Sequence, residues 1–217
     1  MNRRDFSASL LGTGLSATAL LAWPSARAQG PEPVECREFT KITPAQPQTA
    51  SGKIEVLEFF SYACPHCNAF EPTIEAWAKT LPADVVLRRV PVPFLMNYDN
   101  FQHAYYALET MGAVEAMQQK IFRAIHVDRQ RLEKPEDIAA FIGKNGGDAT
   151  KFMAAFKSFS VATSVGRAKK MMADYKIDSV PTLIVQGRWM TSPSIAGSQE
   201  RALVVVEQLV QRARSGK

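Results

Sequence analysis

Residues 54–67 read Ile-Glu-Val-Leu-Glu-Phe-Phe-Ser-Tyr-Ala-Cys-Pro-His-Cys. The run Ile54 to Phe60 is β-branched and aromatic, a composition that suits a buried strand. Ser61-Tyr62-Ala63 leads from it to Cys64-Pro65-His66-Cys67. A helix is predicted next, with Phe70, Ile74, Trp77 and Leu81 at helical spacing and Pro72 placed to kink it. A cysteine pair between the end of a strand and the start of a helix governs how the rest of the chain is read.

Working outward, Val85 to Val92 reads as a second strand, and from about Asn97 to Tyr175 the pattern turns helical. Phe101, Tyr105 and Leu108 mark one amphipathic helix, closed near Gly112. Met117, Ile121, Phe122 and Ile125 mark another. Pro135 opens a third that stops at Gly146-Gly147, Asp148 caps a fourth, and Val161 to Tyr175 forms a fifth. These aromatic and methionine stripes read as core rather than cofactor boxes. Thr182 to Val185 returns to strand, and Gln186-Gly187 supplies a two-residue hairpin turn into Arg188-Trp189-Met190. Ser198 to Arg214 is a final amphipathic helix. Gln29 to Gly52, rich in Pro, Gln and Thr, reads as an extended arm with at most a short strand. The order β-α-β, helical block, β-β-α predicts an α/β protein whose mixed sheet is interrupted by a helical insertion. Phe94, Leu95 and Met96 stand where the sheet hands over to the helices, either as exposed apolar surface or as a buried junction.

Residues 1–28 have the pattern of an export signal. Arg3 and Arg4 form a charged start, an apolar run spans Leu10 to Trp23, and Ala26-Arg27-Ala28 offers a cleavage site. The run falls short of the roughly 20 residues that span a bilayer. The paired arginines followed by Phe6 point to the twin-arginine route. Removing 28 of the 217 residues leaves 189, enough for one domain with a real core, and takes away three basic residues and one acidic, so the net charge falls from +5 to +3. No dense basic run accompanies this mild charge, which argues against nucleic-acid binding. The mature chain is expected to be soluble and monomeric.

The three cysteines are Cys36, Cys64 and Cys67. A disulfide-stapled scaffold needs more. Cys36 lacks the context of a lipid-modified cysteine, since Val34-Glu35 precede it, and reads as a non-catalytic thiol in the arm. For a C-x-x-C pair, structural zinc needs four ligands, and His103 and His126 are distant and unpatterned. Covalent haem needs His after the second cysteine, where Asn68 stands. Neither metal nor cofactor is called for. Dithiol–disulfide exchange fits the placement. At a helix N-terminus, free N–H groups and the helix dipole stabilise a Cys64 thiolate, and Cys67 lies one turn on. A stabilised thiolate makes the disulfide a strong oxidant. Cys64 is expected to be the exposed nucleophile and Cys67 shielded. His66 either tunes Cys64 or is an exposed spacer. Pro65 suits a first turn, where no N–H is needed.

Cys-Pro-His-Cys after Glu58-Phe59-Phe60-Ser61, together with Val180-Pro181-Thr182 leading into a strand, resembles the DsbA family of bacterial periplasmic disulfide oxidases. The resemblance runs over nearly all of the mature chain. It implies a thioredoxin fold with an inserted α-helical domain, residues 29–96 and 171–217 forming the thioredoxin-like part and 97–170 the insertion. It implies a redox-active Cys64–Cys67 disulfide passed to unfolded exported proteins with free thiols, and reoxidation by a quinone-linked membrane protein, DsbB. It further implies a cis Val180–Pro181 bond beside the disulfide, where the backbone docks substrate, and a buried Glu58 that assists proton transfer. The family often places Lys near this acid. Here Arg88 and Arg89 occupy that region, and an arginine does not release its proton. The other reading of Glu58 is a solvent-facing acid at an edge. Against the oxidase stand an isomerase or reductase of the same fold and a binding domain with a structural disulfide. Isomerases resembling this class carry an N-terminal dimerisation domain, for which the 25 residues from Gln29 to Lys53 are too few.

Overall fold

The structure is a computed structural model and describes residues 30–48, 50, 52–93 and 99–216. The leader and the run Phe94-Leu95-Met96 lie outside the described residues. In chain order the elements are β1 (Thr40–Lys41), β2 (Ile54–Phe60), α1 (Pro65–Ala78), β3 (Val85–Pro91), α2 (Asp99–Thr110), α3 (Val114–His126), α4 (Pro135–Lys144), α5 (Ala149–Phe156), α6 (Phe159–Asp174), β4 (Thr182–Val185), β5 (Trp189–Thr191), α7 (Pro193–Ala196) and α8 (Gln199–Arg214).

Every residue of β2 is buried, its five apolar side chains and also Glu55 and Glu58. The sheet order is β1-β5-β4-β2-β3. β2 pairs parallel with β3, Glu58 opposite Arg89, and antiparallel with β4, Val56 opposite Val185. Two cores result from the two faces. Ile54 and Val56 of β2 and Leu183 and Val185 of β4 pack with Phe70, Ile74 and Trp77 of α1 and Leu203, Val206 and Leu209 of α8. Leu57, Phe59 and Ile184 face the other way and join Phe101, Leu108, Ile121, Phe122, Ile138 and Phe152 of the inserted helices. The side-chain period of two sends alternate residues of one strand to different helical layers.

The local signals act as the sequence foretells. Gln186 and Gly187 both take positive φ, +52 and +61°, and the Arg188 N–H donates to the Val185 carbonyl at 3.0 Å. That closes the β4–β5 hairpin. The Asp148 carboxylate accepts from the N–H groups of Thr150 and Lys151 and caps α5. Three details differ from the sequence reading. α1 ends at Ala78, short of Leu81, because Pro82 disfavours a helical residue before it. α6 begins at Phe159, two residues early, because the Ser158 hydroxyl caps it by accepting from the Val161 N–H. The short α7 was not foreseen.

Candidate active site

Cys64 is the N-cap of α1, with extended backbone angles (φ −89°, ψ 117°), and Pro65 takes the first helical position. The preceding turn is closed by the Cys64 N–H donating to the Ser61 carbonyl at 3.1 Å. The Val180–Pro181 bond is cis. It brings the Val180 carbonyl to 3.4 Å from the Cys64 Sγ, which donates to it. Both cysteines are thiols here, and a disulfide sulfur has no proton to give that carbonyl. Cys64 is 2 % exposed and Cys67 1 %. The expectation of an exposed Cys64 is therefore corrected. The Val180 loop covers it, while its neighbours Pro65 and His66 are exposed.

The two thiols differ sharply in acidity. A hydrogen bond from the Cys67 thiol is the main reason the Cys64 pKa falls from 9.0 to about 6. Burial opposes the fall, and the backbone N–H groups of Cys67 and His66 and the charge of His66 add to it. Burial pushes the Cys67 thiol far up, and the hydrogen bond it gives to Cys64 holds its proton. The Glu58 charge adds a smaller push in the same direction.

Glu58 is buried, not at a solvent-facing edge. It accepts from the Arg89 Nε at 2.9 Å, and the Arg89 Nη2 reaches Glu71 and Glu75 of α1, each at 3.1 Å. Arg88, one residue earlier, reaches Glu55 instead, at 3.4 Å. Burial raises the Glu58 carboxyl pKa against the pull of Arg89. Burial likewise lifts Glu71 to about 7, with Arg89 opposing and Glu58 adding repulsion. One guanidinium thus faces three carboxylates in a poorly solvated space. The proton that moves in this cluster belongs to a carboxyl, since the arginine keeps its own.

Sequence reasoning singled out Glu58 but missed Glu71, and it set His126 aside. The structure places His126 of α3 beside the active-site turn, its Nε2 2.8 Å from the Tyr62 carbonyl. Cys36 is exposed in the arm, with a left-handed φ of 66°.

The sequence profile of the DSBA-like thioredoxin domain matches residues 55–204, most of the chain. The chain belongs to the DsbA-like thioredoxin family. It is 41 % identical to the thiol:disulfide interchange protein DsbA of Bordetella parapertussis, over 99 % of this chain and 100 % of the relative. The DsbA of Burkholderia cepacia is 39 % identical, with 99 % of each chain covered. The crystal structure of Pseudomonas aeruginosa DsbA superposes with a TM-score of 0.81 at 34 % identity, covering 84 % of this chain and 95 % of that one. The DsbA of Xylella fastidiosa gives 0.78 at 29 % identity, covering 84 % and 98 %. This DsbA-like chain is a thiol:disulfide oxidoreductase with an α-helical insertion in its thioredoxin fold.

Proposed function

We propose that this oxidoreductase donates its Cys64–Cys67 disulfide to unfolded, newly exported proteins in the periplasm. Cys64 is the sulfur that substrates attack, and Cys67 is its buried partner. The observation that carries this reading is the acidity difference built at the start of α1, with one thiol near about 6 and the other far above its ordinary value.

A substrate thiolate attacks the Cys64 Sγ. The Cys64–Cys67 bond breaks, and Cys67 leaves and takes up a proton, as its high affinity for one favours. Glu58, whose charge is felt at Cys67, assists this proton transfer. A second substrate thiolate attacks the substrate sulfur of the mixed disulfide, and Cys64 leaves as a thiolate. The substrate gains a disulfide and the protein gains two electrons. Thiolate stability at Cys64 favours this direction. His66 and Pro65 tune the leaving sulfur, and the backbone at Val180 and Pro181 pairs with an extended substrate segment. A quinone-linked membrane oxidase resembling DsbB removes the two electrons and restores the disulfide.

Residues 1–28 act as the export signal. Residues 29–96 and 171–217 form the thioredoxin-like part around the 97–170 insertion, and the protein works as a monomer without a cofactor. Among the described residues no helix is long and apolar enough to cross a membrane. Mixing the oxidised protein with a reduced two-cysteine peptide tests the reading. One peptide disulfide should form per protein disulfide lost, and Cys64→Ser should abolish transfer. Transfer that survives in Cys64→Ser would overturn the assignment.

A further inference from the structure

Tyr62 is held to the insertion by a stripe of α3, and its ring also meets Phe101 of α2, with centroids 6.1 Å apart. Gln118, Phe122 and His126 recur every four residues, so they lie along one face of that helix. The Tyr62 hydroxyl donates to the Gln118 Oε1. The Phe122 ring packs edge-on to the Tyr62 ring, with centroids 5.1 Å apart. The His126 Nε2 lies 2.8 Å from the Tyr62 carbonyl. A carbonyl oxygen only accepts, so this nitrogen carries a proton and donates it. At the far end of the same peptide unit, the Ala63 N–H donates to the Ser61 hydroxyl at 3.3 Å. The Tyr62–Ala63 peptide is therefore fastened at both its oxygen and its nitrogen. It is the middle peptide of the turn that the Cys64 N–H closes onto Ser61.

We propose that His126 is a positioning residue for disulfide exchange, fixing the Tyr62–Ala63 peptide, together with Ser61, so that Cys64 stays at the N-cap of α1. The side chains that hydrogen-bond the Tyr62 hydroxyl and carbonyl come from the insertion, while the Tyr62 ring is packed by the insertion and by Phe60 of β2. The insertion thus sets the reactivity of a cysteine that belongs to the sheet-and-helix frame. A peptide plane freed at its oxygen reorients, the turn loosens, and the Cys64 sulfur meets the N–H groups of His66 and Cys67 less squarely. The thiolate then loses stabilisation, and the disulfide becomes a weaker oxidant. This inference rests on the reading of Cys64–Cys67 as the exchanging pair.

The experiment is the equilibrium of the protein disulfide with two molecules of glutathione, giving the dithiol and glutathione disulfide. His126→Phe keeps a ring against Phe122 and removes the donor. His126→Gln keeps an N–H at a similar reach. The His126→Phe equilibrium constant should fall about two- to tenfold, the range that one lost hydrogen bond covers. His126→Gln should recover most of that loss, and Ser61→Ala should shift the constant the same way as His126→Phe. An unchanged constant in folded His126→Phe overturns the proposal. So does an equal shift in the Phe and Gln variants, which would mean that packing and not the donor matters. If His126→Phe does not fold, a wild-type constant in Ser61→Ala overturns it. Failure of the underlying reading looks different, because the wild-type protein itself would then not exchange with glutathione.

Discussion

At the scale of single residues, the acidity of Cys64 has a ranked set of causes, and each can be removed. The Cys67 thiol contributes most and the charge of His66 least. Thiolate absorbance of the wild-type dithiol should titrate with a midpoint near about 6. Cys67→Ala should move the midpoint up towards 9.0, and Cys67→Ser, whose hydroxyl still donates, should move it less. His66→Ala should also raise it, by less than Cys67→Ala. Equal midpoints in the Ser and Ala variants would remove the hydrogen bond as the cause. The sign for stability follows. A thiol depressed from 9.0 to about 6 stabilises the folded dithiol protein fully above about 9, and that stabilisation is lost as the pH falls through about 6. Urea midpoints of the dithiol form, measured against those of the disulfide form, should therefore rise between these limits. The cysteine pair was legible in the sequence because its chemistry is local, four residues at a strand–helix junction. The burial of Cys64 was not, because the Val180 carbonyl that covers it arrives from 116 residues away.

At the scale of elements, β3 meets β2 and α1 through Arg89 and the carboxylates of Glu58 on β2 and Glu71 and Glu75 on α1. Arg89→Met removes the cation and leaves buried acids that must bind protons to stay folded. Breaking one side of such a buried cluster costs about 3–5 kcal/mol at neutral pH, which chemical denaturation would read. The wild-type cluster carries a pH signature of its own. Glu71 rises from 4.5 to about 7, so the folded state holds a proton that the unfolded chain has released. Stability from this group is present below about 4.5 and declines as the pH rises through about 7. Glu71→Gln should flatten that decline, and an unaltered slope would place the titration elsewhere. The sequence exposed Glu58 because an acid stands out in an apolar strand. Glu71 sits in an amphipathic helix, where an acid looks ordinary until β3 is packed against it. The α3 stripe of Gln118, Phe122 and His126 was not read from the sequence, which marked this helix by Met117, Ile121, Phe122 and Ile125, and nothing in that spacing said that the helix would meet Tyr62. Turn chemistry was easier to read. Gln186-Gly187 announced its hairpin through a left-handed requirement that belongs to the residues themselves.

At the scale of the whole molecule, the inserted helices do not own a separate core. The apolar cluster that holds α2, α3, α4 and α5 also holds Leu57, Phe59 and Phe60 of β2, together with both active-site cysteines. The opposite cluster, between the sheet and α1 with α8, contains no residue of the insertion among the described residues. The β-α-β, helical block, β-β-α order told of an insertion, but amphipathic periodicity alone does not say whether a helix buries its stripe against other helices or against a sheet. Phe60 is the residue where the difference shows. It is fully buried at the end of β2, with ring centroids 5.3 Å from Tyr62 of the active-site turn, 5.3 Å from Tyr105 of α2 and 6.1 Å from Phe122 of α3. Phe60→Ala should cost about 3–5 kcal/mol. Because the cluster is shared, that loss should fall on sheet and insertion together. One cooperative transition should remain, shifted to lower denaturant, with hydrogen exchange faster in β2, α2 and α3 alike. Leu209→Ala, in the opposite core, should lower the same transition by about 2–5 kcal/mol. Unfolding of the helices in an earlier, separate step, with the sheet still protected, would show instead that the insertion folds as its own unit and only rests on the sheet.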